Sequence, residues 1–315
     1  MTTVEFGPKG WAPDRIDTLE GRTFLVTGAT AGTGLEATRA FLAKGAAVVM
    51  LNRNPDKSAA VLDTLRAEFG ADAPVRSVRM DLAELDSVRQ AAAEVLETVP
   101  RIDALICNAA IAQVAEQRRT VDGFESQLGV NHYGHFLLCG LLFARIEASG
   151  GRVVVVGSNA YKMGLKRIKF EDLDFDEGYS AWDSCAQSKL AQMVFAYELQ
   201  RRVQAAGKDV QVHVCHPGAS KTNLLQATAS TFNKVLWSVL SRFIAQSAER
   251  GAAWPEVMCA TEDGLPPASL FGPTRRSDTV GPVGACTLDP LALDAEMARQ
   301  LWTVSEQKTA LRFAV

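Results

Sequence analysis

The first residues whose types and spacing could do chemistry are Thr27-Gly28-Ala29-Thr30-Ala31-Gly32-Thr33-Gly34. Glycines within such a run permit a tight turn and let the backbone come close to a bulky ligand. The run sits between the apolar stretch Thr23-Phe24-Leu25-Val26 and a helical pattern that begins at Gly34. The free N–H groups of a helix N-terminus would therefore face whatever the turn holds, and they favour an anion. A glycine cluster alone can be a structural turn. Its place at the head of a strand–helix–strand unit points instead to the diphosphate of a nicotinamide dinucleotide. The second apolar run ends in Asn52-Arg53-Asn54, where an acidic residue would hold an adenosine ribose and repel a 2′-phosphate. Arg53 could give that phosphate charge-assisted bonds. NADP(H) is thereby favoured, with NAD(H) not excluded; a merely solvated arginine would favour neither.

The elements that must position this turn read as a regular alternation. Ala46–Leu51, Val75–Met80, Ile102–Cys107, Val153–Val156 and Val210–Cys215 are apolar runs of strand length. Between them lie helical patterns at Gly34–Lys44, Pro55–Phe69, Leu85–Leu96, a long one at Asp122–Ala148, and one at Ser184–Val203. Continuously apolar strands separated by helices predict a parallel sheet covered on both faces. The expected fold is an α/β, Rossmann-type doubly wound sheet in a single domain over residues 21–315, after a polar arm at 1–20. Residues 220–253 read as an insertion able to roof a ligand cleft, with a helix at Phe232–Ala245, or as an ordinary packed surface helix. Gly and Pro crowd Gly264–Pro290 as in surface loops, and a last helix is expected at Leu291–Ser305 within a C-terminal extension from 264.

Composition removes several classes. Apolar residues make up 47% and charged residues 22%, so the chain is globular. The net charge of -3 and the absence of any basic stripe argue against a nucleic-acid partner. The six cysteines form no CxxC pair and the four histidines no zinc-like cluster, so no metal is expected. Neither a signal peptide nor a membrane-length apolar run is visible, and the plain expectation is a cytoplasmic protein.

Further motifs carry a resemblance. CNAA at 107–110, VNHYGHF at 130–136, VGSNA at 156–160, QSKLA at 187–191, HPGASKT at 216–222, FGP at 271–273 and LWTVSE at 301–306 join the glycine turn. Together they resemble the short-chain dehydrogenase/reductase family, most closely its retinol dehydrogenase and protochlorophyllide reductase-like branch. The resemblance covers about residues 17–309. It implies that Gly28 and Thr30 to Gly34 bind cofactor together with Arg53. Asp81 and Leu82 would border the adenine, and Asn108, Ala109 and Ala110 would line the cleft. Pro217, Gly218 and Thr222 would lie on the nicotinamide side. It also implies catalytic roles for Asn131 in a proton relay, Ser158 on the substrate oxygen, and Lys189 on the nicotinamide ribose. Dimers or tetramers of such proteins form through the helices corresponding to Asp122–Ala148 and Ser184–Val203.

One position departs from the pattern. The family's tyrosine, one helical turn before Lys189, is here Cys185. A thiol is by nature closer to neutrality than a phenol, and Lys189 is expected to push it towards thiolate. Reach is the obstacle, because proton transfer needs heavy atoms within about 2.6–3.2 Å or a bridging water. Three routes stay open. Cys185 donates through a water or to a deeper substrate; another group such as Tyr161 donates, with Tyr133 and His135 as weaker candidates; or the chemistry is lost and the protein is a dinucleotide-binding sensor or scaffold. For an active enzyme, Leu224, Leu225, Phe232, Trp237 and Phe243 suggest a small apolar or aromatic carbonyl or alcohol as substrate.

Overall fold

In a computed structural model, which describes residues 6–218 and 252–315, strands β1 (Thr23–Thr27), β2 (Ala47–Asn52), β3 (Val75–Arg79), β4 (Ala104–Cys107), β5 (Arg152–Val156), β6 (Gln211–Cys215), β7 (Leu270–Arg275) and β8 (Val280–Cys286) form one sheet. Their order is β3-β2-β1-β4-β5-β6-β7-β8. All neighbours run parallel except β7 and β8, which form an antiparallel hairpin. This is the expected doubly wound α/β fold. The chain order reverses between β1 and β4, and ligands of such sheets bind beyond the strand ends at that reversal.

Strand alternation divides the core. Leu25, Leu105, Val153 and Val155 point to one face of the sheet, where α3 (Leu85–Thr98), α5 (Gly134–Ala148), α6 (Ala181–Ala205) and α8 (Ala295–Thr309) pack. Phe24, Val26, Ile106 and Val154 point to the other, towards α1 (Gly32–Leu42), α2 (Pro55–Phe69) and α7 (Trp254–Thr261). The stacked rings of Phe24 and Phe41, with centroids 4.3 Å apart, seat α1 on β1. Local signals set the helix ends. The Asn54 side chain accepts the Lys57 N–H at the start of α2, where Pro55 needs no donor. The Ser180 hydroxyl takes the Asp183 N–H at the start of α6.

Three expectations need correction. The pattern at Asp122–Ala148 is not one α-helix: a short turn α4 (Ser126–Leu128) leads into a π-helical turn, Gly129–Tyr133, before α5 begins. A π turn inserts one residue without changing the apolar pattern on either side, so periodicity does not reveal it. The segment expected as surface loop at Gly264–Pro290 contains β7 and β8. Proline is tolerated at a sheet edge, and Gly272 is needed because a Cβ there would lie 2.5 Å from the His216 ring. The N-terminal arm is not freely polar, since Trp11 is fully buried, bridges to Val283 and donates its indole N–H to Glu262.

Part of the surface of the two helices named as a subunit contact is covered by the chain itself. Trp302 of α8 and Phe313 pack against Phe136 and Phe195, and His132 is hydrogen-bonded to Ser305. Every residue of α6 from Ser184 to Gln200 is buried.

Candidate active site

The glycine turn leaves β1 at the reversal point of the sheet. Gly28 and Gly32 adopt positive φ, +70° and +62°, a conformation that L side chains avoid. A Cβ on Gly28 would come within 2.9 Å of Ala109, and one on Gly34 within 2.4 Å of the Asn108 amide. No side chain caps α1, so its first N–H groups are presented at the turn. The Asn52 Oδ1 accepts the Ala29 N–H, while its Nδ2 is buried with no hydrogen-bond partner among the described residues. A cradle of bare backbone with unused donors fits a dinucleotide's diphosphate.

Asn108 ties the two strand ends together. Its Nδ2 donates to the carbonyls of Thr27 and Gly28, and its Oδ1 accepts the Thr33 hydroxyl at 2.9 Å. Arg53 is largely exposed, and its Nε lies 4.0 Å from Asp81. Asp81 is held by the Ala83 N–H, and Leu82 packs over Gly134. Thr30 and Ala31 lie on the open side of the turn, and Ala110 follows Asn108 and Ala109 along the cleft.

Asn131 stands in the π turn. Its amide accepts the Ile111 N–H and donates to the Ile111 carbonyl, both at 2.9 Å, and also donates to Ser188. The extra residue of that turn carries the asparagine into the loop after β4. Ser158 follows β5 and receives the Ala160 N–H on its hydroxyl, starting a 3-10 turn packed on α6. Lys189 is buried on α6, one turn after Cys185. Burial, partly offset by Cys185, pushes its ammonium down to about 8, and it donates to the Gln192 Oε1 at 2.8 Å. Pro217 and Gly218 follow β6; Gly218 has φ +70° and sits against Thr279 of the hairpin turn. Thr222, together with Leu224, Leu225, Phe232, Trp237 and Phe243, lies outside the described residues.

The expected drift of Cys185 towards thiolate is corrected by its surroundings. Burial raises the thiol above its ordinary range, and this outweighs the Gln113 N–H and Lys189, which act the other way. Tyr161 is buried, and its hydroxyl accepts the Asp289 N–H at 2.7 Å, tying the Ser158 loop to the segment after β8. Tyr133 is buried against Phe124 and His132. Tyr179, six residues before Cys185 in sequence, comes within electrostatic range of it; its phenol donates to the Val114 carbonyl and is pushed up to about 12, first by burial and then by Glu125.

Thr27 and His135 have structural roles that spacing did not reveal. The Thr27 hydroxyl oxygen accepts the N–H groups of both Asn108 and Ala109. It also meets the His135 Nε2 at 3.0 Å, while the His135 Nδ1 meets the Asn131 carbonyl. A carbonyl only accepts, so the proton sits on Nδ1 and Nε2 accepts from Thr27. Burial pushes His135 down to about 4, which makes it a neutral strut between Asn131 and the glycine turn. The only sequence trace was Thr27 preceding the first glycine and His135 one helical turn after Asn131.

Comparison with known proteins agrees with this geometry. Residues 22–232 match the family described as short chain dehydrogenase. The chain is 36% identical to human retinol dehydrogenase 14 over 314 residues, covering 93% of this chain and 88% of that protein. It is 34% identical to mouse polyprenol dehydrogenase, covering 90% and 82%. A crystal structure of an uncharacterized protein from Mycobacterium Paratuberculosis superposes with a TM-score of 0.79 at 35% identity, covering 97% of this chain and all of that one. The protein is an oxidoreductase-type α/β chain that belongs to the short-chain dehydrogenase family.

Proposed function

We propose that the protein is an NADP(H)-dependent oxidoreductase that interconverts a carbonyl and an alcohol on an apolar or aromatic substrate, with the proton relayed through water at Cys185. The observation that carries this reading is the assembly of glycine turn, Asn131, Ser158 and Lys189 beyond the C-terminal ends of β1, β4 and β5. When bound, the nicotinamide supplies or accepts the hydride. The backbone from Gly28 to Gly34 would hold the diphosphate, Arg53 the 2′-phosphate, and Lys189 the nicotinamide ribose. Ser158 would orient the substrate oxygen. Cys185 stops short of a phenol's reach, so a water between its thiol and that oxygen completes the path. Tyr161 is less suited to the role, because the bond it accepts from the Asp289 N–H holds its hydroxyl against the segment after β8. The retinol and polyprenol dehydrogenases among its relatives support an apolar alcohol or aldehyde as substrate.

The test is loss of NADPH absorbance with a panel of apolar ketones and aldehydes, retinal included. Turnover that disappears in Lys189→Ala is the expected result. Replacing Arg53 by Ala should weaken NADPH about tenfold or more and leave NADH unchanged, since a charge-assisted bond contributes ~1.5–3 kcal/mol; equal effects on both would remove the assigned preference. One observation favours a second reading, a sensor or scaffold that binds dinucleotide without chemistry: the Cys185 thiol is buried and raised away from ionisation. Tight NADPH binding with no turnover across the panel would select it.

A further inference from the structure

The fold places one acidic side chain where none of the chemistry above uses it. Glu256 lies on α7, which packs beneath α1, and it is completely buried. Among the described residues, neither of its carboxyl oxygens has a partner in ordinary hydrogen-bond geometry. What its carboxyl faces is the hydroxyl of Thr33, in the glycine turn. That hydroxyl has a single proton, already given to the Asn108 Oδ1 at 2.9 Å. Asn108 in turn grips the carbonyls of Thr27 and Gly28. A buried acid therefore stands at one end of a short polar chain, and the diphosphate cradle stands at the other.

We propose that Glu256 is a positioning residue of the dinucleotide site: as a neutral acid it keeps the Thr33 hydroxyl on Asn108, and its ionisation loosens the grip on the diphosphate. The inference rests on the turn binding a dinucleotide, as read above. A neutral carboxyl can offer its own proton to the Thr33 oxygen, and Thr33 then keeps its proton on Asn108. An ionised carboxyl can only accept. It competes with Asn108 for the Thr33 proton, and it sets a negative charge behind a site built for an anion. Both effects have the same sign.

The surroundings favour the neutral form. Burial raises the carboxyl to about 8, only partly opposed by Thr33. Among the described residues, the Cys215 thiol of β6, itself raised by burial, interacts with it, and His213 of the same strand is kept neutral by its own burial. The cations on neighbouring elements are engaged elsewhere. Arg152 of β5 binds the carbonyl of Glu262 and the side chain of Asp263, Arg39 of α1 pairs with Glu36 and Glu68, and Arg15 of the N-terminal arm pairs with Glu262. Arg275 of β7 is exposed.

The experiment is the NADPH dissociation constant of the full chain, measured by calorimetry from about pH 6.5 to about pH 9.5, for the natural protein and Glu256→Gln. The amide keeps a donor towards Thr33 and cannot ionise. Expected is equal affinity at the acid end, and about a tenfold loss on alkalinisation in the natural protein that Glu256→Gln does not share. Lys189 titrates in the same range, so identical pH profiles would assign the loss to it and overturn the proposal. Should Glu256→Gln not fold, Thr33→Val carries the test: without the hydroxyl the alkaline loss must shrink to the part owed to the carboxylate charge, and an undiminished loss overturns the proposal. Natural protein that binds no NADPH at any pH overturns the cofactor reading itself, a separate outcome.

Discussion

At the scale of single residues, the chemistry proposed above turns on side-chain length. Cys185 and a tyrosine differ little in what they can ionise to, but a thiol cannot span the distance that a phenol spans. Cys185→Tyr should therefore raise kcat by at least about tenfold with unchanged NADPH affinity, because placement of a proton donor alone accounts for orders of magnitude in rate. A variant no faster than the natural protein would show that the water path is not limiting. Glu256 makes a second statement at this scale, this time about stability. Its folded value of about 8 lies above the ordinary 4.5, so the folded state holds the extra proton between those values. The stability this contributes is complete below about pH 4.5 and is lost as pH rises to about 8. Glu256→Gln should raise Tm at pH 8 by a few degrees, about 2–4 °C per kcal/mol, with the gain shrinking towards pH 5. A gain independent of pH would assign it to packing.

Among the elements, the π turn at Gly129–Tyr133 does the most to build the site. It brings Asn131 onto both backbone groups of Ile111, so the loop after β4 is fixed by one amide. Asn131→Ala leaves that half-buried N–H and C=O unsatisfied, at a cost of up to about 1–3 kcal/mol each. Thermal denaturation should show Tm falling by several degrees, and a shift under one degree would mean that water replaces the amide. The parallel strands were legible because runs such as Val153–Val156 and Phe24–Val26 are apolar on both faces, and the glycine turn because its residues demand a particular backbone. The π turn was not legible, since one inserted residue leaves the apolar pattern of VNHYGHF unchanged. Strands β7 and β8 were hidden by Gly272, Pro273, Gly281, Pro282 and Gly284, whose usual meaning is a loop. Asn131, Ser158 and Lys189 were visible as motif members, and His135 by its spacing from Asn131, whereas Thr27 and Glu256 act through contacts across the sequence that no local pattern encodes.

For the whole molecule, the question is which surfaces remain for other copies of the chain. On α5 and α6, the helices named as a subunit contact, Phe136 and Phe195 are covered by Trp302 of α8 and by Phe313 in one aromatic cluster. Sedimentation should therefore give a monomer at micromolar concentration, and an assembly through those helices would require α8 to leave. Trp302→Ala should cost about 3–5 kcal/mol and, by unseating α8, produce concentration-dependent association. A dimer in the natural protein that crosslinks through α6 would contradict this arrangement.

The hairpin at the far edge of the sheet has a consequence in time. Asn159 reaches the Asp278 carbonyl, Tyr161 is held by Asp289, and Gly218 lies against Thr279, so the loop bearing Ser158 is moored by the last fifth of the chain. Synthesis delivers the N-terminus first. A growing polypeptide thus owns its glycine turn early, while the anchors of the Ser158 loop emerge 119 and 128 residues after the side chains they hold.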